Sequence, residues 1–448
     1  MSVSKALIKE LLNESDCSHN KTKKSSCDKP KPGNTSGGCA YEGAQISLFP
    51  YADTVHLVHG PHTCLGASWE TRASLTSFEG ESSTPLGYCT NITAQDIIFG
   101  GDKKLSEAIE YVVVKKHPKA VFVYETCVTA MIGDNIDHIC KKSWEKFGIP
   151  IVPIHTPGFV GGKNLGSRLA SESILNFLIG TKEPESIHEF GINLIGDYNV
   201  TGDMWQYRSI LEKIGIKIVS TLSGDGRIDE ICQAHRAKLN VIVCAKSLIT
   251  LCRKMQERYQ IPYVSVSFYG KRDTSNAILS IVNALGSHEM IEKAKAVIKE
   301  EEKKLETKLE PYKKILDGKK AILNTGGNKS WSIASALQDI GLNVVATSIN
   351  KSTEEDIEMA KKYVSILFKN PSSDQPKLID EHGIEILLAG GRSLYTAIKK
   401  KIAFVDVNQE KKRSYGAYNG LVNLAEDVCA ALLNPVFKLV GKRAPWEN

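Results

Sequence analysis

The sequence predicts an α/β protein made of several doubly wound domains with parallel sheets. From about residue 45 onward, short β-branched runs alternate with helical patterns, and this alternation is typical of repeated βα units. Eleven runs have the composition of strands, which is more than one ordinary open sheet holds. A chain of 448 residues, of which 42% are hydrophobic, can bury the cores that such domains need.

Most of the predicted strands end in Gly, Asn, Thr or Ser before a helical pattern begins. In chain order they lie within 53–60, 120–127, 149–156, 192–199, 216–224, 240–247, 263–270, 321–327, 343–350, 384–391 and 402–409. A charged linker near 179–190 and a long charged helix near 288–315 are candidate boundaries. We expect a polar arm at 1–33, with a short helix from about Ser4 to Leu12, and domains at 34–185, 186–290 and 291–448.

Composition argues against several classes of protein. The net charge of +6 comes from 57 basic and 51 acidic residues, and no basic block is interleaved with aromatic residues, so we expect no nucleic-acid partner. No stretch approaches the roughly 20 apolar residues of a membrane span, and the N-terminus lacks the apolar core of a secretory signal. We therefore expect a cytoplasmic protein whose eleven cysteines are not in disulfides, so that clustered cysteines indicate metal or redox sites.

Three cysteines share one local context. Cys64 and Cys127 each follow an apolar strand and open a predicted helix, and Cys39 follows the glycine pair of TSGGCAYEGA. A helix N-terminus presents free N–H groups and a positive dipole end, so we expect it to lower the pKa of a thiol and favour the thiolate. Neighbouring glycines leave room for a bulky inorganic group.

Each of these cysteines also has a simpler interpretation as a small buried residue. Zinc is disfavoured because no close Cys-x-x-Cys pair occurs. A nucleophilic Cys64 would need a histidine, and His56, His59 and His62 are near, but the alternation of the first two with apolar residues is typical of strand packing. An iron–sulfur cluster usually takes four thiolates, and the fourth would be Cys89 or a cysteine of a partner chain.

A second set of candidates lies at strand ends in the second half of the chain. Cys244 ends the strand NVIVC, and the others are Gly326, Gly327 and Lys329 in NTGGNKSW, Gly390, Gly391 and Arg392 in LLAGGRSLY, and Asn408 in FVDVNQE. Strand ends can line one crevice. The glycines would let the backbone approach a ligand closely, and the lysine and arginine side chains would suit an anionic ligand. Ordinary tight turns are the alternative, and TGGNKS lacks the spacing of a phosphate loop. Four further cysteines are predicted to be core residues: Cys140, Cys232, Cys252 and Cys429.

Several longer motifs together resemble the nitrogenase component 1 superfamily. They are GCAYEGAQISLFPYADTVHLVHGPHTCLGASWETR, YETCVTAMIGDNI, SGDGRIDEI, NTGGNKSWSIASALQDIGLNVVATSINKSTEED, AGGRSLYTA, DVNQE and RAPW. The resemblance extends over about residues 1–448. Within the superfamily it is to the scaffold subunits that mature the iron–molybdenum cofactor.

The resemblance implies three Rossmann-like domains and an α2β2 assembly with a homologous subunit, NifN. Cys39, Cys64 and Cys127 would be three ligands of a 4Fe–4S cluster at the subunit interface, with the fourth supplied by NifN. Cys89 would then be structural. Cys244 would hold the end iron of the cofactor or its precursor. The other residues that the resemblance places around that cofactor are Arg72, Lys163, Gly326, Gly327 and Lys329.

The chain departs from catalytic members of the superfamily at three positions. It has Asn408 where they have a histidine ligand to molybdenum, Ser167 where they have a histidine facing the cofactor, and Ser393 where a lysine holds the organic acid. Amides and hydroxyls bind molybdenum less well than imidazole. One thiolate anchor would hold a cluster while leaving its other end open. We therefore predict an assembly scaffold, with a catalytic nitrogenase α-subunit or a related reductase as the alternative.

The implied function is the conversion of an iron–sulfur precursor into the iron–molybdenum cofactor. Donor and carrier proteins would deliver the precursor, and the nitrogenase Fe protein would assist the insertion of molybdenum and homocitrate. ATP hydrolysis would belong to the Fe protein because this chain has no nucleotide loop. In the N-terminal arm, Cys17, His19 and Cys27 would bind metal transiently or guard cluster entry, and a disordered polar arm is the alternative.

Overall fold

The described part of the chain comprises residues 38–69, 75–78, 81–83, 86–243, 245–350, 352–408 and 413–443 of a computed structural model. Arg72, Cys244 and the N-terminal arm, with its expected helix and cysteines, lie outside these residues. Strands and helices alternate along the described chain, as the sequence predicts.

The strands in chain order are β1 Thr54–His59, β2 Thr76–Phe78, β3 Glu81–Ser83, β4 Leu86–Cys89, β5 Ala120–Glu125, β6 Ile151–Ile154, β7 Gly191–Ile195, β8 Lys217–Leu222, β9 Leu239–Ile242, β10 Tyr263–Ser265, β11 Lys320–Asn324, β12 Asn343–Ser348, β13 Ile366–Phe368, β14 Ile386–Ala389 and β15 Ala403–Asp406.

The α-helices are α1 Ala40–Leu48, α2 His62–Trp69, α3 Ala94–Phe99, α4 Asp102–Lys116, α5 Cys127–Ile132, α6 Ile136–Phe147, α7 Lys163–Phe177, α8 Asp203–Ile214, α9 Ile228–Cys232, α10 Ala245–Tyr259, α11 Lys271–Leu285, α12 His288–Leu316, α13 Lys329–Asp339, α14 Glu354–Lys361, α15 Pro371–His382, α16 Leu394–Lys400, α17 Ala417–Leu433 and α18 Val436–Leu439. Short 3₁₀ turns lie at Gly158–Val160, Ala234–Arg236 and Gly391–Ser393.

Each of the eleven predicted runs contains a strand. Sequence reasoning missed β4, β13 and the antiparallel hairpin of β2 with β3. The sequence of β4 is LGYC and that of β13 is ILF. Both are too short to show a period, and both lie at sheet edges, where pairing with one neighbour decides the conformation more than local propensity does.

The parallel strands form three sheets, with strand orders β4-β1-β5-β6, β10-β9-β7-β8 and β13-β12-β11-β14-β15. In each sheet the chain first winds to one side of a central strand and then to the other. The order therefore reverses between β1 and β5, between β7 and β9, and between β11 and β14. Ligands of such doubly wound sheets bind beyond the carboxyl ends of the strands at this switch point.

The chain divides into two compact units, one of Met1–Val200 and Ile216–Ser265 and the other of Thr201–Gly215 and Val266–Asn448. In the first unit the first two sheets share one apolar core, which includes Phe122 and Tyr124 of β5 and Ile242 of β9. The other face of the first sheet packs against α4 and α6. Both faces of that sheet are thus covered, which explains why all six residues of β1 are buried.

One helical stretch corrects the expectation that no segment of the chain is long and apolar enough to span a membrane. Ala417–Leu439, which comprises α17 and α18, is long and apolar enough to cross a membrane by length and composition alone. In the second unit the inner face of α17 is buried at Leu421, Leu424 and Val428, and α17 packs against α12. A helix with one buried face is also typical of a protein interior.

Candidate cluster and cofactor sites

The cysteine site lies at the carboxyl edge of the first sheet, at its switch point. Across the sheet, Cys89 ends β4, Cys64 lies in the first turn of α2 behind β1, Cys127 begins α5 behind β5, and Gly158 follows β6. The registers of β1 with β4 and β5 bring these strand ends to one level. The parallel sheet therefore gathers thiols that are far apart in sequence.

Two of the sulfurs face the backbone at Gly158. A methyl group at this position would lie 3.0 Å from Sγ of Cys127 and 3.3 Å from Sγ of Cys39. Cys39 is the N-cap of α1, and an antiparallel bridge to Gly162 holds it near the strand ends. The missing side chain of Gly158 leaves the space beside these two thiols open. This is the arrangement that a bulky inorganic cluster needs, so the residues fit such a group.

Exposure separates the described cysteines into two groups. Four are free thiols that are half-buried: Cys39, Cys64, Cys89 and Cys127. The other four are buried, as predicted: Cys140, Cys232, Cys252 and Cys429. Among the described residues, no group of three or more Cys, His, Asp or Glu side chains converges on a single metal ion. In a 4Fe–4S cluster each thiolate binds a different iron, so the ligands of a cluster need not converge on one point.

The electrostatics at Cys64 correct one expectation. Burial, together with the negative field of Cys127, Cys39 and Cys89, raises the pKa of Cys64 to about 11. The expected lowering by the helix N-terminus is thus outweighed by burial and by mutual repulsion of the thiolates. The free thiol is protonated at neutral pH, and a bound metal would displace that proton.

The histidines of β1 are packing residues, as predicted. His56 is fully buried and hydrogen-bonded through Nδ1 to Tyr124 OH at 2.7 Å, and burial lowers its pKa to about 3. His59 is also fully buried, and its Nε2 lies 2.9 Å from Asp134 Oδ2. Its partner is a carboxylate rather than a thiol, which argues against a Cys–His nucleophile.

A charged cluster flanks the cysteine site. Behind β6, His155 places Nδ1 3.2 Å from Glu125 Oε2 and Nε2 2.8 Å from Asp137 Oδ1. Burial alone would lower the pKa of this imidazole, but the two carboxylates outweigh it and raise the pKa to about 9. His155 is therefore a cation at neutral pH.

Two predicted pocket residues belong to the contact between α1 and α7 in the first unit. Lys163 Nζ lies 2.6 Å from Glu42 Oε1, in the first turn of the helix that Cys39 caps. Ser167 is buried, and its Oγ donates a hydrogen bond to the carbonyl of Gly43 at 3.0 Å. Both side chains thus hold the helix of Cys39 in place.

The carboxyl edge of the third sheet brings together the other described pocket residues: Gly326, Gly327, Lys329, Ser393 and Asn408. Two hydrogen bonds tie this edge together. Asn324 at the end of β11 donates Nδ2 to Ser393 Oγ at 3.1 Å, and Lys329 Nζ donates to the carbonyl of Val407 at 3.3 Å. The structure therefore places a cation, amides, hydroxyls and the carboxylate of Asp406, which accepts the N–H of Asn408, at the carboxyl edge of this sheet.

The two glycines of this edge are required by the turn that leads into α13. Gly326 has φ +81°, and a methyl group there would lie 1.9 Å from the carbonyl oxygen of Asn350. Gly327 has φ +62°, and its N–H donates to Ser352 Oγ at 3.0 Å. Left-handed backbone and close approach both exclude a side chain here. Sequence reasoning found these glycines but missed two other residues: Asn324, although it begins the NTGGNKSW motif, and Gly158, which lies in none of the quoted motifs.

The remaining predicted site residues, Arg72 and Cys244, fall outside the described residues. The strand before Cys244, β9, ends at Ile242, and α10 begins at Ala245. In sequence, Cys244 therefore follows one of the two strands that form the switch point of the second sheet.

The chain thus has three Rossmann-like sheets, with half-buried cysteines at the switch point of the first. The family model described as "Nitrogenase component 1 type Oxidoreductase" matches residues 39–433, and the chain belongs to this family. The solved structure "Nitrogenase Cp1 at pH 6.5" superposes with a TM-score of 0.80 at 23% identity, covering 94% of this chain and 92% of the other. That likeness confirms the fold.

Curated relatives share the full length of the chain. "Nitrogenase iron-molybdenum cofactor biosynthesis protein NifE" of Rippkaea orientalis is 45% identical, over 100% of this chain and 97% of the relative. The protein of the same name from Klebsiella pneumoniae is 40% identical, over 98% of this chain and 99% of the relative.

Proposed function

We propose that the chain is the scaffold subunit on which an iron–sulfur precursor is converted into the iron–molybdenum cofactor. The observation that carries the proposal is the chemistry of the third-sheet edge. Asn408 and Ser393 offer an amide and a hydroxyl where, by the resemblance, catalytic members would have a histidine and a lysine. A weakly coordinating edge suits a cluster that has to be modified and then released. The names of the full-length relatives support the same function.

Three of the four half-buried thiols are assigned to a 4Fe–4S cluster shared with a second subunit, NifN, in an α2β2 assembly. Cys39, Cys64 and Cys127 provide three thiolates on this chain, and the partner provides the fourth. Cys89 remains structural, because its Sγ donates to the carbonyl of Gly60 and accepts from the N–H of Asn91, each at 3.2 Å. When bound, the cluster would supply an electron relay or a structural link at the subunit interface.

An exposed apolar surface beside the cysteines is assigned to docking of the nitrogenase Fe protein. Ile98 and Phe99 on α3 are 73% and 86% exposed, and Met131 on α5 is 78% exposed. The two helices contact each other, and α5 is the helix that begins at Cys127. Large exposed apolar side chains mark interaction surfaces, and an electron donor has to approach the cluster closely.

The precursor is the cargo of this protein. By the resemblance, Cys244 would be its thiolate anchor, and Arg72 and Lys329 would each bring positive charge to an anionic cluster. Gly326 and Gly327 let the backbone approach closely, and Ser393 is assigned to the region of the homocitrate. Donor and carrier proteins would bring the precursor and take away the finished cofactor in the cytoplasm, and the Fe protein would assist the insertion of molybdenum.

The test is metal analysis of the anaerobically co-purified complex before and after Cys244→Ala, with electron paramagnetic resonance of both. The matched control is Cys252→Ala, which removes a fully buried thiol of α10. We expect Cys244→Ala to deplete the larger cluster while the 4Fe–4S signal persists, and Cys252→Ala to retain both. Full precursor in the Cys244 variant would refute the anchor. Ammonia formation from dinitrogen by the parent complex would instead establish a catalytic subunit.

A further inference from the structure

The backbone carbonyl of His59 holds the turn that begins at Cys127. It accepts a hydrogen bond from Thr126 Oγ1 at 2.9 Å and another from Thr129 Oγ1 at 3.0 Å. These threonines flank Cys127 at the start of α5. The end of β1 therefore fixes the position of a cysteine more than sixty residues further along the chain.

The ring of the same histidine holds the end of β4. Nδ1 of His59 lies 3.1 Å from Thr90 Oγ1, and this hydroxyl oxygen also accepts the N–H of Gly60 at 3.1 Å. Thr90 follows Cys89, and Gly60 opens the turn to Cys64. The hydroxyl oxygen of Thr90 accepts the N–H of Gly60, and the hydroxyl hydrogen of Thr90 can then be donated to Nδ1 of His59.

On its other side the ring reaches a buried carboxylate. Nε2 donates to Asp134 Oδ2 at 2.9 Å, and the second oxygen of Asp134 accepts the N–H of Gly101 at 2.8 Å. The side chains of His59 and Asp134 are 0% and 3% exposed. Gly101 lies two residues beyond Phe99, and a methyl group there would lie 2.5 Å from Asp134 Oδ2. The pair is thus packed directly against the end of the exposed α3 segment.

We propose that the His59–Asp134 pair is a positioning element that connects the α3 docking surface to the turns carrying Cys64, Cys89 and Cys127. The ring of His59 bonds Thr90 and Asp134, and its backbone carbonyl accepts from Thr126 and Thr129. Thr90 also accepts the N–H of Gly60, so the three turns are joined at this one residue. Movement of the segment before α4 would be passed through Asp134 to the ring, and from there to the thiols. This inference rests on the proposed cluster and docking surface, and adds to them a physical connection between the two.

His56 provides a matched control on the same strand. It is equally buried, and its ring is hydrogen-bonded to Tyr124 OH at 2.7 Å and Thr54 Oγ1 at 3.2 Å. Its described hydrogen bonds thus reach neither a cysteine-bearing turn nor α3. Loss of a buried, hydrogen-bonded histidine destabilises the fold in either case, but only loss of His59 is expected to change the cluster.

The experiment compares Asp134→Asn, His59→Gln and His56→Gln in the co-purified complex. The readouts are iron per complex, the electron paramagnetic resonance spectrum and midpoint potential of the reduced 4Fe–4S cluster, and its rate of reduction by the Fe protein. Asn keeps the shape of Asp134 but removes its charge, so we expect retained iron, an altered spectrum and a higher potential. We also expect at least a several-fold slower reduction at unchanged Fe-protein affinity. His56→Gln should leave spectrum, potential and rate at parental values.

Two outcomes are distinguishable. If the parent complex contains no 4Fe–4S cluster, the proposed site is wrong. If the parent has the cluster, and both Asp134→Asn and His59→Gln match its spectrum, potential and reduction rate, the positioning role alone is wrong. Should His59→Gln not fold, the near-isosteric Asp134→Asn still decides, and Asp134→Glu should restore part of the reduction rate because it returns the carboxylate.

Discussion

Alanine at Gly166 tests whether the close contact of α1 with α7 sets the position of Cys39. An added methyl group at Gly166 would lie 1.8 Å from the carbonyl oxygen of Ala40 and 2.6 Å from its carbonyl carbon. Non-bonded heavy atoms reach their best contact at about 3.5 Å. Both partners are helix backbone, so no side-chain rotation relieves the overlap. The two helices have to separate by more than ~1 Å.

The loss of stability expected for Gly166→Ala follows from the separation of the two helices. Overpacking a tight core costs typically about 1–3 kcal/mol, and a gap of this size forfeits roughly a quarter to a half of each dispersion contact along the interface. The reciprocal contact is equally tight, because a methyl group at Gly43 would lie 2.0 Å from the carbonyl oxygen of Lys163. We expect Gly166→Ala to destabilise the first unit by roughly 2–4 kcal/mol and to displace the thiol of Cys39.

The assay is thermal unfolding of the chain, together with iron content of the co-purified complex. Gly66→Ala is the matched control, since Gly66 is also inside a helix near a candidate ligand but its added methyl group meets no atom within 4 Å. Alanine favours a helix over glycine by about 1 kcal/mol, so this control should be neutral or stabilising. If Gly166→Ala unfolds at the parental temperature with full iron, the packing argument is wrong.

Three further changes test other parts of the site. Cys127→Ala removes one of the thiolates and should abolish the interface 4Fe–4S signal and weaken association with the partner subunit; unchanged iron in the purified complex would contradict the assignment. Phe99→Asp places a charge on a side chain that is 86% exposed, so it should leave folding unchanged but weaken Fe-protein binding at least tenfold, and unaltered binding by titration would exclude this surface. His155 has a pKa raised from 6.5 to about 9, so its ion pairs stabilise fully below pH 6.5 and lose their effect as the pH rises through 9. The ion pairs contribute roughly 3 kcal/mol to the free energy of unfolding, and the free energy of unfolding of His155→Gln should lack that pH dependence. If the free energy of unfolding changes equally with pH in both proteins, the pairing is wrong.

Local patterns were sufficient for eleven of the fifteen described strands and for the placement of two thiols at strand ends. All eleven predicted runs contain strands, because β-branched runs bounded by turn residues carry their own conformational preference. The placement of Cys64 and Cys127 behind β1 and β5 follows from the same patterns. The edge strand β4 was missed because four residues, LGYC, carry too weak a preference without their neighbour.

Tertiary structure decided the chemistry of the same residues. Sequence suggested a lowered thiol pKa at Cys64, but burial among other cysteines raises it. Lys163 and Ser167 were expected around the cofactor, and the fold gives Lys163 an ion pair with Glu42 and Ser167 a hydrogen bond to Gly43. Such outcomes depend on which distant groups surround a side chain, and desolvation and pairing set the energy of a polar group far more than its sequence neighbours do.

The sequence by itself determined that this is an α/β chain with parallel sheets and thiols at strand ends, since periodicity and turn residues are local properties. Only the tertiary structure decided that the ring of His59 joins Thr90 and Asp134, residues 31 and 75 positions away. It also decided that Gly158 lies beside the sulfurs of Cys39 and Cys127. These contacts arise from the order of strands in the sheet, which is a property of long-range packing.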